Sequence, residues 1–240
     1  MLPSGHARTL LLLVAAVCAT AQTTASLVDA FLKEPVFYKQ IEIGKQIVAR
    51  GDPSVIPQFQ PLLEDPDRHV RGNAAFVIAS LGDRTGFDAI VAILSDRSPD
   101  RKVGPPVAYV GPKSQRPKYR SLESQIQEDR YYAVHLLGDL KDRAGIPVLL
   151  NVAKDPALDY AVPWALGQIG GPNAIQALIA GLINPNPEVR AFSSQALGDL
   201  RATEALPRLT LLLKDETPLH MGKIPTVAEY ARLAIAAIQR

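Results

Sequence analysis

The sequence predicts an all-α protein built as an α-solenoid, and three observations carry that expectation. The first is a recurring helix-end signature. It is clear at Ile78-Ala79-Ser80-Leu81-Gly82-Asp83, Leu137-Gly138-Asp139-Leu140, Leu166-Gly167-Gln168-Ile169-Gly170 and Leu197-Gly198-Asp199-Leu200, and degenerate at Ile47 through Asp52 and at Ile235-Ala236-Ala237-Ile238. Between first apolar residues the intervals are 31, 59, 29, 31 and 38. A period near 30 is the signature of stacked helical repeats, and the two long intervals read as one period plus an insertion. The second observation is a set of apolar columns at helical spacing. The third is proline and asparagine punctuation between the helices.

The interval Pro185 to Leu213 shows the unit. A first helix opens at Val189-Arg190 and runs through Leu200; after a short turn, a second helix begins near Thr203. The second helix carries Leu206, Leu209, Leu212 and Leu213 on one helical face. Its columns recur: Ile56, Phe87, Ile146, Ile175 and Leu206 in the first; Phe59, Ile90, Leu149, Leu178 and Leu209 in the second; Leu63, Leu94, Ala153, Leu182 and Leu213 in the last. Pro57, Pro147 and Pro207 follow column one, where a first-turn proline loses no intrahelical bond.

First helices share a slot held by Ala74, Ala133, Val162, Ser193 and Ala231, mostly small residues that let neighbours approach. Gly138, Gly167 and Gly198 cost helix propensity of up to about 1 kcal/mol each and are expected to serve close packing. Arg71 and Arg190 share a repeat position and are expected to pair with acidic neighbours such as Asp83 or Asp199 in a structural role. Asp65-Pro66, Asp155-Pro156 and Asn184-Pro185-Asn186-Pro187 mark helix boundaries, because the residue before proline avoids the helical region. Pro163 falls inside a first helix and predicts a kink or a late start. Trp164 beside it is expected to be a core or groove residue.

Residues 1–21 read as a signal peptide. Arg8 precedes the apolar run Leu10 to Val17, and Ala19-Thr20-Ala21 is a cleavage pattern; the run is too short to span a bilayer. Cys18 raises a lipoprotein alternative, against which the bulky Val17 argues. Cleavage near Ala21 removes the only cysteine and leaves 25 basic against 24 acidic residues. That balance excludes a general nucleic-acid binder. No further apolar run reaches membrane-spanning length, so the expected product is exported, periplasmic or secreted, with residues 22–240 as one repeat domain.

The columns resemble the HEAT-like repeat family, in the short-repeat form of phycobilin lyases. Val189-Arg190, Ala196 through Leu200, and Ala205-Leu206-Pro207 with Leu209 and Leu212-Leu213 carry the resemblance, more faintly echoed from Val70-Arg71 to Gly82-Asp83. It covers roughly Tyr38 to Arg240 without the insertions. It implies a right-handed α-solenoid of about five HEAT-like helix pairs plus a terminal helix. Family members include scaffolds, chaperone-like factors and a few enzymes. Deoxyhypusine hydroxylase, which resembles this fold, binds iron through His-Glu pairs; this chain has no His-Glu dipeptide. No Gly-rich phosphate loop, His-Glu-x-x-His or Gly-x-Ser-x-Gly is present. Most carboxylates lie in turns or at helix ends, where capping explains them. No catalytic residue, cofactor or metal is assigned, and the chain is expected not to be an enzyme.

Binding is expected at the insertions, residues 97–125 and 217–226, which fall at equivalent junctions along one edge. The first holds seven basic residues, Arg97, Arg101, Lys102, Lys113, Arg116, Lys118 and Arg120, against Asp100 and Glu123. Tyr109 and Tyr119 are interleaved, and Val107 to Val110 could form a short strand. Arg101, Lys102, Tyr109, Lys113, Arg116, Lys118, Tyr119 and Arg120 are the candidate partner-binding residues: a basic, aromatic arm for an acidic partner, against the alternative of a solvated loop. The second insertion holds His220 and Met221, a pair that suggests copper only faintly and reads better as an exposed turn. The expected function is a protein–protein interaction scaffold or adaptor working through a concave face and the basic loop. The alternative is a lyase-like or metal-dependent enzyme on the same repeats.

Overall fold

The computed structural model of the protein describes residues 23–98, 122–221 and 224–240. The eight candidate partner-binding residues, the expected strand at Val107 to Val110 and the expected signal peptide lie outside those residues.

The described residues form twelve α-helices: α1 (Thr24–Lys33), α2 (Phe37–Val48), α3 (Ile56–Phe59), α4 (Arg68–Ser80), α5 (Arg84–Ser95), α6 (Leu122–Leu140), α7 (Gly145–Val152), α8 (Val162–Ile169), α9 (Gly171–Gly181), α10 (Pro187–Asp199), α11 (Leu206–Leu212) and α12 (Val227–Ile238). There is no strand among them, only an isolated antiparallel bridge between Pro218 and Thr226. The protein is an all-α solenoid. The first helices of the repeat are α2, α4, α6, α8, α10 and α12; the second helices are α3, α5, α7, α9 and α11. The short α3 and α11 are entered through 3-10 turns at Pro53–Val55 and Thr203–Ala205.

The middle column read from the sequence is core throughout, and the flanking columns are buried or half-buried. Phe59, Ile90, Leu149, Leu178 and Leu209 are all buried, as is the whole small-residue slot of the first helices, Ala74, Ala133, Val162, Ser193 and Ala231. Burying a side chain of the leucine or phenylalanine class is worth about 1.5–3 kcal/mol, and no helix pair can hide its apolar stripe without the next. The helix α1 was not foreseen. Thr23 caps it by accepting from Ser26 N at 3.1 Å, and Leu27, Val28 and Phe31 bury its inner face. Phe31 meets Phe59 edge to face at 5.0 Å, so α1 supplies the second-helix surface that α2 would otherwise lack.

Successive first helices lie side by side along the whole stack, while direct contact within the other row is sparse. The close spacing comes from a glycine-to-alanine ladder. A Cβ on Gly138 would lie 2.9 Å from Ala165 Cα, one on Gly167 3.0 Å from Ala196 Cβ, and one on Gly198 2.8 Å from Ala234 Cα. Tight spacing on one side and looser spacing on the other curves the stack, with the first helices on its concave side.

Carboxylates in the turns cap helices as expected: Asp67 accepts from His69 N and Asp83 from Thr85 N, each at 2.9 Å, while Asp142 accepts from Ala144 N, also at 2.9 Å, within the turn before α7. Pro163 gives a late helix start, with a 3-10 turn at Asp159–Ala161 leading into α8. Residues 122–125, read as the end of the first insertion, belong to α6.

The arginine pairing corrects the sequence expectation. Arg71 reaches Asp96 at 2.7 Å, not Asp83, and Arg190 reaches Asp215 at 2.8 Å, not Asp199. Each also donates to the carbonyls of the preceding turn, Arg71 to Asp65 and Pro66, Arg190 to Asn184 and Pro185. Arg130 completes the column, donating to the Leu94 carbonyl at 3.0 Å and pairing with Asp155 at 2.7 Å. Guanidinium reach explains the choice: one planar group can tie the turn before its own helix to the end of the next second helix. In the fourth repeat the slot holds Asp159, which accepts from Asn186 Nδ2 at 2.8 Å. There the aspartate of the next turn is replaced by Asn184.

Candidate functional site

On the concave side, α6, α8 and α10 enclose a groove of about 280 Å³. Tyr131 and His135 stand four residues apart on α6, so they share a face. Tyr160, in the 3-10 turn before α8, and Trp164, in α8, repeat that spacing. Tyr131 stacks on Tyr160 with centroids 5.9 Å apart and planes at 27°, and His135 lies on Trp164 at 4.2 Å and 35°. Gly138 makes room for the indole: a Cβ there would come within 2.8 Å of Trp164 Cζ3. Phe192 of α10 faces this pair of aromatic steps from the other side of the groove.

The second insertion contributes one lining residue. The Pro218–Thr226 bridge and the hydrogen bond from Leu219 N to the Pro225 carbonyl, 3.0 Å, pair its two described arms. His220 N donates to Glu188 Oε1 at 3.0 Å, which sets the loop down against α10 and places Met221 on the groove, 40% exposed. Among the described residues no cluster of three or more His, Cys, Asp or Glu side chains could hold a metal ion.

The electrostatics are those of a neutral aromatic cleft with one carboxylate, Asp199, among its described lining residues. Burial pushes the His135 imidazole below its ordinary value, with Asp139 acting weakly in the opposite sense, so the ring is neutral at pH 7. Burial raises the phenols of Tyr131 and Tyr160. Asp139, Gln168 and Asp199 occupy one repeat slot at the helix ends. Lys45 of α2 pairs with Asp139 at 3.2 Å. Asp199 closes α10, where the helix dipole disfavours an anion, and desolvation raises its carboxyl. Neither lysine nor arginine is found among the described residues lining the groove.

Of the residues singled out in the sequence, Trp164, Gly167, Asp199 and Met221 reach this groove, Asp199 in place of the arginine pairing expected for it. Tyr131, His135, Tyr160 and Phe192 carry no expectation of a groove from the sequence. A signal was present: Tyr131 and Tyr160, and His135 and Trp164, are each separated by the local repeat of 29, so they fall in the same two columns of adjacent units.

A neighbouring buried network braces the earlier helices. Asn73 Nδ2 donates at 2.9 Å to both the Phe37 carbonyl and Gln40 Oε1, while the Tyr132 hydroxyl donates to Asn73 Oδ1. It joins α2, α4 and α6 beneath the concave surface and stiffens the wall from which Tyr131 and His135 project.

The fold and the groove together define a helical-repeat protein with an aromatic groove on its concave side. Residues 120–184 match the family described as HEAT repeats, a span that covers α6 to α9 and both aromatic steps. HEAT-like repeats are thus matched over that span of the chain. It is 39% identical over 98 residues to the phycocyanobilin lyase subunit alpha of Synechococcus elongatus, an alignment covering 36% of each chain; the match thus spans about a third of that relative's length. Among solved structures, an engineered protein overlaps 90% of this chain and 96% of its own at 18% identity and a TM-score of 0.43. Human deoxyhypusine hydroxylase in complex with glycerol overlaps 90% and 84% at 20% identity and a TM-score of 0.39.

Proposed function

We propose that this chain is an interaction scaffold that holds another protein along its concave face, with the aromatic groove of α6, α8 and α10 as the anchor point. The observation that carries this is the pair of aromatic steps, Tyr131 on Tyr160 and His135 on Trp164, left open to solvent on the inner side of the stack. Exposed aromatics in a concave, partly desolvated setting are the residue type that anchors protein partners. The basic segment carrying Arg101, Lys102, Tyr109, Lys113, Arg116, Lys118, Tyr119 and Arg120 supplies a second contact, toward an acidic surface of the partner. The site of action is outside the cytoplasm, after removal of residues 1–21. No helix among the described residues is long and apolar enough to cross a membrane.

The test is affinity capture with the wild-type chain, with a Tyr131→Ala/Trp164→Ala double variant, and with a variant in which Tyr109, Arg116, Lys118 and Tyr119 are alanine. The proposal expects a stoichiometric partner that the groove variant loses and the arm variant holds more weakly. Identical capture by all three proteins removes the scaffold role of these surfaces.

A second reading, a lyase-like activity, is favoured by the likeness to a phycocyanobilin lyase subunit and by the flat aromatic surfaces of the groove. Under that reading, purified chain mixed with phycocyanobilin develops a perturbed visible absorption band that Trp164→Ala abolishes. An unperturbed spectrum excludes it.

A further inference from the structure

Deepening the scaffold reading, we infer that the groove is built to receive an arginine side chain of the partner, its guanidinium stacked on the aromatic steps and paired with Asp199. Three observations converge on this. The walls are π-faces: Tyr131 over Tyr160, His135 over Trp164, and Phe192 opposite. A guanidinium over such faces is attracted by the ring quadrupole and packs flat against the ring in a way an ammonium does not. The imidazole among them is held neutral by burial, so it does not repel a cation at pH 7.

The second observation is the one carboxylate among the described lining residues, Asp199. Asp139 and Asp199 hold the same repeat slot at the ends of α6 and α10. Lys45 satisfies Asp139 at 3.2 Å. Asp199 has no such cation among the described residues, it stands at the helix end that disfavours a negative charge, and the only influence on its carboxyl is desolvation, which pushes it up. A cation delivered by a partner relieves both costs.

The third observation is size. At about 280 Å³ the groove sits at the low end of the roughly 300–1,000 Å³ typical of small-molecule sites. One long side chain with part of its backbone fits that space. Gln168 and Gln195 at the edge offer amides to the peptide on either side.

Trp164 is the only tryptophan in the chain, so its fluorescence reports this site alone. The experiment titrates the purified chain with the capped peptide acetyl-Gly-Gly-Arg-Gly-Gly-amide, with the same peptide carrying citrulline, and with tetramethylammonium. Citrulline keeps the plane and loses the charge; tetramethylammonium keeps the charge and loses the plane. The expected result is a saturable change in Trp164 emission with the arginine peptide, weakened about tenfold or more with citrulline and in the Asp199→Asn variant. Circular dichroism of that variant is expected to match wild type. An equal response to the citrulline peptide, a stronger response to tetramethylammonium, or silence with the arginine peptide overturns the assignment. A chain that captures its partner through the groove yet ignores the arginine peptide refutes this inference and leaves the scaffold reading standing. A chain that binds the peptide but loses no partner in the groove variant does the reverse.

Discussion

The Arg190 guanidinium ties two inter-repeat turns together, with Nε donating to Asp215 Oδ2 at 2.8 Å while Nη1 holds the carbonyls of Asn184 and Pro185 at 2.9 and 3.1 Å. Both side chains of the pair are more than four-fifths buried. Removing the arginine takes from Asp215 its only cation among the described residues, leaves it just its Thr217 donors, and frees two carbonyls at once. Arg190→Ala is therefore expected to cost about 2–4 kcal/mol, and Arg190→Lys less, because the ammonium keeps the charge but cannot span both turns. Urea unfolding followed by helical circular dichroism measures both. A loss within error for the alanine variant would show that the turns are held by helix packing alone.

Acid sensitivity is expected to centre on Asp96. Burial opposes its ionisation, but hydrogen bonds from Ser98, 2.9 Å from the backbone N–H and 2.6 Å from the hydroxyl, together with the Arg68 guanidinium at 3.0 Å, hold the carboxyl at about 2 against an ordinary 3.8. A carboxyl depressed in the folded state binds fewer protons there than in the unfolded chain. Its contribution is therefore complete above about pH 4 and is lost as pH falls toward 2. Stability profiles between pH 2 and 6 should show a steep acid limb in the wild type. Asp96→Asn should lower stability at pH 6 and flatten that limb. Parallel slopes for the two proteins would remove Asp96 as the titrating group.

The glycine ladder predicts a contrast between two substitutions of the same kind. A methyl at Gly198 meets backbone, Ala234 Cα at 2.8 Å, and nothing there can swing aside. Gly198→Ala is expected to destabilise by about 1–3 kcal/mol through overpacking. Gly145 opens α7, and a methyl there finds its nearest neighbour, Ile169 Cδ1, at 3.4 Å. Gly145→Ala should be close to neutral, since the better helix propensity of alanine offsets the tighter contact. Thermal unfolding of the two variants side by side checks the ordering, and equal effects would mean that the inner helices are free to separate.

The repeat columns were legible because burial is local in sequence: Phe59, Ile90, Leu149, Leu178 and Leu209 each sit at the same turn of a second helix, and every one is buried. Pairing between repeats was harder to see. Asp83 and Asp199 look closer to Arg71 and Arg190 along the chain, yet Asp83 is occupied in capping α5, and the true partners lie 25 residues on, where the next second helix ends. That offset also separates Arg130 from Asp155, so the regularity was there to be found. The groove was less visible still. Tyr131 and Tyr160 meet only because the solenoid places the same column of neighbouring units face to face, and an aromatic in a first helix looks like core until the curvature of the stack is known. Helix α1 escaped notice because ten residues with three buried side chains carry no repeat signature.

Arg68 holds the roots of the long insertion. Its side chain, almost wholly buried, pairs with Asp96 and with Asp129, both at 3.0 Å, and donates to the Ser98 carbonyl. Ser98 lies just before residues 99–121 and Asp129 in the helix just after them, so both exits of that segment are moored to one guanidinium. The joint beneath that segment therefore draws its order from residues outside it, so the repeats on either side keep their register through Arg68 and not through the inserted chain.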